Sequence, residues 1–308
     1  MVPKVVGSRP IILPKIPCLA FQQGFFFVIS MLNSSSFSII IPTWNNLAYL
    51  QACIRSIQQN SAHPHEIIVH VNEGNDGTEA WLQSEKIAYT VSKENIGICF
   101  AVNLSAALAT KDYVLYINDD MYVLPNWDQQ LLQEIEKLGD ASFMLSATMI
   151  EPKDTGNPCV IHQNYGTDLQ TFKEADLLEV YPTLYRANWN GSSWPPVLVR
   201  RTDWIKMGGF SSEFSPGMYS DPDLSMKLWN MGCRIFLGVG NSLVYHFQAK
   251  STGRVTKNDG RAMFKQKWGI SARFFYKHYL HMGTTYAGPI AQRIPAWLLK
   301  LEKLRNKL

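Results

Sequence analysis

The chain is poor in the features that mark several protein classes, and each shortage excludes something. Its five cysteines (Cys18, Cys53, Cys99, Cys159 and Cys233) are an odd, scattered set without metal-ligand spacing. That argues against a cysteine metal site and a disulfide scaffold, and fits free thiols in a reducing compartment. Charged residues make up only 18% of the chain and the net charge is +4. The basic residues are scattered and form no stripe that could follow a phosphate backbone, so no nucleic-acid partner is expected. There is no internal repeat and no low-complexity tract. Long apolar runs are missing too. Residues 24–32 are apolar, but a bilayer span takes about 20, and Lys15, Gln22 and Gln23 interrupt any extension. The basic start lacks a convincing small-residue cleavage site, which weighs against a signal peptide. Met31 stands just ahead of the first core-like segment, so residues 1–30 read as an over-extended start and 1–34 as an N-terminal extension.

What is present begins with residues 113–120, where a β-branched and aromatic run leads straight into Asn118, Asp119 and Asp120. The run reads as a buried strand of an α/β sheet. Such sheets bind ligands beyond the carboxyl ends of their strands. Two adjacent carboxylates there repel unless a cation, a proton or a basic group intervenes. Hard oxygen donors suit Mg²⁺ or Mn²⁺ shared with a substrate diphosphate; a polar turn is the plainer alternative. Upstream, further apolar runs at residues 37–41, 66–71 and 87–91 alternate with helical patterns at 47–59, 78–86 and 98–109. Turn-rich clusters follow the strands. Alternation of this kind predicts a Rossmann-like, mostly parallel sheet flanked by helices, with its binding loops on one edge.

The ordered set Pro42–Asn45, Asn72–Gly77, Asn95–Gly97 with Asn103, and Asn118–Asp120 resembles the successive motifs of family 2 glycosyltransferases, over roughly residues 37–251. The resemblance implies a GT-A fold and an inverting transferase using a nucleotide-diphosphate sugar. It assigns Pro42, Thr43, Asn45, Asn72, Asp76, Asn95, Gly97, Asn103, Asn118 and Asp119 to the nucleotide sugar. Asp120 matches the second aspartate of the family's metal motif, with Mn²⁺ or Mg²⁺ as the expected ion. Three positions depart from the pattern: Asn72, Asn118 and Ser220 stand where the family usually has carboxylates. Asn offers a donor as well as an acceptor, which leaves the nucleotide base open. With Asn118 in place of an acid, the metal is expected to arrive with the nucleotide.

In the second half, residues 188–194 are rich in aromatics and amides, and Trp189, Asn190 and Trp194 are candidates for the acceptor, against a plain packing role for the indoles. The Gly208–Gly209–Phe210 segment matches a structural turn of the family. Residues 219–224 resemble its acidic helix start, which makes Asp221 the candidate general base for the acceptor hydroxyl. Asp223, also weighed for the acceptor region, is read as the N-cap that satisfies free amides. His246, at the end of a strand, is a candidate metal ligand or a core histidine. Lys250 and Arg254 are candidates to neutralise the departing diphosphate.

Residues 295–308 pair Trp297, Leu298, Leu301, Leu304 and Leu308 with Lys300, Lys303, Arg305 and Lys307. Such a helix lies on an anionic membrane surface or docks on the protein's own core. The reading is a GT-A domain over residues 35–270, with a nucleotide-binding half (35–125) and an acceptor-binding half (126–255). A C-terminal helical appendage follows (271–308). The expected activity is hexosyl-type transfer to a glycan or lipid-linked glycan in cell-surface polysaccharide or glycoconjugate synthesis, in the cytoplasm or at the inner membrane face. The rivals are a catalytically silent sugar-nucleotide or glycan-binding protein and a nucleotidyltransferase. The latter should have a basic glycine-rich loop after its first strand, which residues 42–46 are not.

Overall fold

The computed structural model describes residues 36–248, 258–290 and 294–305. The extension 1–34, with the over-extended start, falls outside these residues, as do Lys250, Ser251, Arg254, Lys307 and Leu308. One ten-stranded sheet organises the chain. Its first half consists of β1 (Phe37–Trp44), β2 (Glu66–Asn72), β3 (Ala88–Ser92) and β4 (Tyr113–Tyr116), with crossovers α1 (Leu47–Asn60), α2 (Thr78–Ser84) and α3 (Gly97–Ala106). The order is β3-β2-β1-β4, and every pair is parallel. The central strands are near-continuous apolar runs because both their faces are covered. Successive side chains of β1 alternate between layers: Ile39 and Ile41 join one core cluster and Ile40 the other. Onto the first layer α1 lays Leu50, Cys53, Ile54 and Ile57; onto the second α3 lays Cys99, Val102 and Ala106. At about 2 kcal/mol per buried large aliphatic side chain, this packing outweighs helix propensity.

The remaining strands are β5 (Met121–Val123), β6 (Met144–Glu151), β7 (Ile161–His162), β8 (Trp189–Asn190), β9 (Val197–Arg200) and β10 (Phe236–His246). With them come α4 (Trp127–Leu138), α5 (Glu174–Val180), α6 (Arg201–Met207), α7 (Ser220–Asn230), α8 (Gly260–Trp268), α9 (Ala272–His278) and α10 (Ala296–Arg305). Beyond β4 the sheet continues β9-β6-β10-β5. Here β9 is antiparallel to both neighbours, β10 is parallel to β6, and β5 runs back against β10. Two successive reversals restore direction, so β1 to β4, β6 and β10 all end at one edge.

The boundaries differ most from the sequence expectation at two places. β1 runs on to Trp44, so Pro42 lies inside the strand, level with His70 of β2. α3 stops at Ala106 because Glu66 captures the chain beyond it, accepting from Thr110 N at 2.9 Å and Thr110 Oγ1 at 2.8 Å.

Candidate active site

The strand register brings three ionisable groups together at that edge. β5 starts directly after Asp120 and pairs Met121 with His246, while Phe247 N donates to Asp120 O at 3.1 Å. On the other side of β10, β6 pairs Ile150 with Tyr245, which sets Glu151 beside His246. His246 therefore sits between two carboxylates. Its Nε2 is 3.5 Å from Asp120 Oδ2 and its Nδ1 is 2.9 Å from Glu151 Oε1. Burial opposes protonation of the ring, but hydrogen bonds to Asp120 and Glu151 override it and raise the pKa to about 9. Asp119 is buried beside them and accepts Thr43 Oγ1 at 2.7 Å, which ties the end of β4 to the end of β1.

The loops after β1, β2 and β3 are stitched to one another. Asn45, at φ 46°, donates to Glu73 Oε2 at 3.0 Å and accepts Asn75 N at 2.8 Å. Asp76 accepts Leu47 N at 2.8 Å, Thr78 N at 3.2 Å and Thr78 Oγ1 at 2.6 Å, so it serves the starts of both α1 and α2. Burial would raise its pKa, but these donors lower it below the ordinary carboxylate value. Buried Asn72 accepts Ile96 N at 3.0 Å and Ser92 Oγ at 3.2 Å and donates to Thr43 O at 3.4 Å.

At the start of α3 the fit is tight. Asn95 Oδ1 accepts Gly97 N at 2.9 Å, and Ile98 N donates to Pro216 O at 2.9 Å. Gly97 has φ +79°, and a Cβ there would collide with Ser215 Oγ and Pro216 Cα. These first amides of α3 are thus taken up within the protein, contrary to the expectation that they face a diphosphate. Asn103 is likewise committed. It donates to Phe210 O and accepts Phe210 N, both at 2.8 Å, pinning the Gly208–Gly209–Phe210 turn.

On the opposite flank, the first turn of α7 carries Asp221, whose charge is felt by Tyr116 of β4, Cys99 of α3 and Tyr276 of α9. Asp221 keeps some open surface but is ringed by protein, and desolvation pushes its pKa up to about 7. Tyr116 joins the two flanks. Its hydroxyl donates to Asn118 Oδ1 at 2.7 Å, and burial, then Asp221, then Cys99, Asp120 and Asp119 push its pKa upward. Trp194 packs edge-on against Tyr276 with ring centroids 5.3 Å apart.

Three other expectations take a different form. Trp189 is buried, donates to Thr148 Oγ1 at 2.9 Å and fills the space over Gly238, so it packs the core. Asn190 is buried and donates to Thr284 Oγ1 and Thr285 O, both at 3.0 Å. Asp223 is structural, but as an anchor and not as a cap. It binds Lys267 Nζ at 2.8 Å, Trp268 Nε1 at 2.9 Å and Ser211 Oγ at 2.5 Å, while Tyr219 holds the N-cap position of α7.

A glycosyl transferase family 2 profile matches residues 38–190, the stretch that holds β1 to β8 and the Asn118–Asp120 motif. Residues 38–190 form a domain of that family. The chain is 24% identical over 231 residues to an uncharacterized glycosyltransferase of Haemophilus influenzae, covering 73% of this chain and 74% of that protein. S. aureus TarS, solved in complex with UDP, superposes with a TM-score of 0.51 at 16% identity, over 68% of this chain and 60% of that one. GalNAc-T7, solved with UDP, GalNAc and Mn²⁺, gives 0.51 at 15% identity over 73% and 44%. At such identities the two structures establish the fold, GT-A, and this chain spans less than two thirds of either.

For a family 2 transferase the sequence reading missed Glu151, Tyr116 and Tyr276. Glu151 ends a strand whose apolar run was not singled out. Tyr116 was read only as strand, and its alternation toward the Asp221 side is set by register. Tyr276 reaches the site from α9, 55 residues beyond α7's first acid, and no local pattern predicts that contact. Among the described residues no group of three or more His, Cys, Asp or Glu side chains forms a ready metal cage, and no helix is long and apolar enough to cross a membrane.

Proposed function

We propose that this protein transfers a sugar, with inversion, from a nucleotide-diphosphate sugar to an acceptor hydroxyl, and that Asp221 is the base. The observation that carries the reading is the environment of Tyr116, whose hydroxyl lies in the fields of Asp221 on one flank and of Asp119 and Asp120 on the other. A base and a diphosphate-side acid pair around one buried tyrosine suit a single displacement at an anomeric carbon.

The polar groups present fit a divalent ion. Asp120 Oδ2 and His246 Nε2 face each other 3.5 Å apart; a divalent ion that displaced the ring's proton would meet both, with Glu151 holding the far nitrogen. Two protein ligands leave positions for the donor's phosphate oxygens, as expected of Mg²⁺ or Mn²⁺. When bound, the ion supplies charge neutralisation for the leaving diphosphate. Thr43 fixes Asp119, and Asn72 and Asn45 hold the loops that frame the nucleotide. Asp221, with its pKa near 7, takes the acceptor proton as the hydroxyl attacks from the face opposite the diphosphate. Trp194, leaning on Tyr276, offers an aromatic surface for the acceptor beside it. A glycan or lipid-linked glycan of the cell surface is the acceptor class that this reading favours.

The test is a panel of nucleotide sugars with Mn²⁺, Mg²⁺ or EDTA, reading release of nucleoside diphosphate and the anomeric configuration of the product. Metal-dependent release from one donor, abolished in Asp221→Asn, is the expected result. Tight nucleotide-sugar binding without release, with any acceptor tried, would favour a silent binding protein, consistent with Asn72, Asn118 and Ser220 at carboxylate positions.

A further inference from the structure

The C-terminal helix α10 was expected either to dock on the protein or to lie on a membrane. The structure shows the first and leaves a second face unused. The helix is fastened by its inner side. Leu298 and Leu299 pack against the core cluster that includes Phe275 and Trp229, and Glu302 accepts Ser271 N at 2.9 Å and Ser271 Oγ at 2.6 Å at the start of α9. At 100° per residue these three side chains cover one arc of the helix. Trp297, Leu301 and Leu304 share the opposite arc, and they are 64%, 45% and 52% exposed. Single exposed apolar side chains are ordinary, but three on one face of a short helix form a continuous ridge. The exposed charged residues around it, Lys300, Lys303 and Arg305, are all basic. The one acid of the helix, Glu302, is turned inward onto Ser271. An apolar ridge whose charged neighbours are all cations is complementary to a surface with acyl chains beneath and negative charge above.

We propose that the outer face of α10 seats the protein on an anionic lipid bilayer, Trp297, Leu301 and Leu304 entering the headgroup boundary and Lys300, Lys303 and Arg305 meeting the lipid phosphates. The helix is held by its own inner face, so it needs no folding on contact, and its ordering cost is already met. A second copy of the chain is a poorer occupant, since the symmetric pairing of two such faces would bring like charges together.

The experiment is co-sedimentation of the full chain with vesicles of phosphatidylcholine alone or with roughly one phosphatidylglycerol in three. Binding is expected to the anionic vesicles and to fall as salt rises. The triple variant Trp297→Ser/Leu301→Ser/Leu304→Ser should lose about tenfold or more of the partitioning, since each substitution removes apolar surface from the boundary. Lys300→Glu/Lys303→Glu/Arg305→Glu should abolish it. Both variants keep Leu298, Leu299 and Glu302, and an unchanged melting temperature with unchanged nucleotide-sugar turnover in solution would confirm that they fold. Three results would overturn the proposal: equal binding to neutral vesicles, binding undiminished in the triple variant, or a wild-type dimer in sedimentation that the triple variant dissolves.

Discussion

The two flanks of the site treat their carboxylates in opposite ways. On the β10 side Asp119 and Asp120 are held, one by the Thr43 hydroxyl and the other by the protonated ring of His246, which Glu151 also grips. On the α7 side Asp221 meets two tyrosines and a thiol, none of them positive, and burial lifts its pKa to about 7. The same functional group is thus paired with a hydroxyl or a cation on one flank and left without a positive partner on the other, where burial makes it more basic. Neighbours set the role, and residue type alone does not.

The largest effect should come from removing the basic flank. Asp221→Asn keeps the shape and removes the proton acceptor, so kcat should fall about 10³-fold while nucleotide-sugar affinity, read by calorimetry, stays near wild type. In the wild type kcat/KM should climb as pH rises through about 7, where Asp221 loses its proton, and this limb should vanish in the variant's residual rate. A nearly full rate in Asp221→Asn would end the comparison. The held flank should respond less. Glu151→Gln leaves Asp120 and His246 in place but weakens the grip on Nδ1, so Mn²⁺ affinity in the presence of nucleoside diphosphate, followed by electron paramagnetic resonance, should drop by about tenfold. His246→Ala should exceed that loss. Equal affinity in Glu151→Gln would show that the ring is oriented by strand pairing alone.

Legibility in the sequence divides along the same line. The parallel half was readable because each strand, each turn and each crossover is local. Periodicity located β1 to β4, and the apolar run into Asn118–Asp120 located the acid pair. The roles assigned within that half were less secure. Asp76, Asn95 and Asn103 have the composition of ligand-binding residues, yet their polar atoms serve helix starts and a turn, and amide and carboxylate chemistry is the same in both uses. The mixed half hides its partners. Glu151 meets His246 across 95 residues through register, and Asp223 finds Lys267 and Trp268 on α8, 44 and 45 residues further along the chain, contacts no window of sequence can show.

A scaffold residue should sharpen the contrast by changing stability and sparing chemistry. Asn103 exchanges two hydrogen bonds with the Phe210 backbone, so Asn103→Ala should cost about 2 kcal/mol in denaturant unfolding. Donor affinity should change by less than about threefold, within the scatter of surface substitutions. A large loss of donor binding at unchanged stability would restore Asn103 to the nucleotide site.

The smallest effect concerns the stability cost of keeping Asp221 basic. Its folded pKa, near 7, lies above the ordinary value of 3.8, so between those values the folded state holds a proton that the unfolded chain has lost. Folding is therefore favoured at low pH by this group, and the advantage fades as pH rises from about 4 to about 7. Asn mimics the protonated acid and escapes the loss. Asp221→Asn should match wild-type stability at pH 4 and exceed it at pH 8, by about 1 kcal/mol once partial solvent access is allowed for. An acid held by donors in the loop after β2 should show the reverse trend. Asp76, whose pKa is lowered by its donors, contributes stability at pH 6 that falls away as pH drops below about 4. Thermal unfolding of wild type and Asp221→Asn at several pH values would read both trends. If the two proteins stay level from pH 4 to pH 8, Asp221 is an ordinary solvated acid, and the chemical asymmetry between the flanks is lost with it.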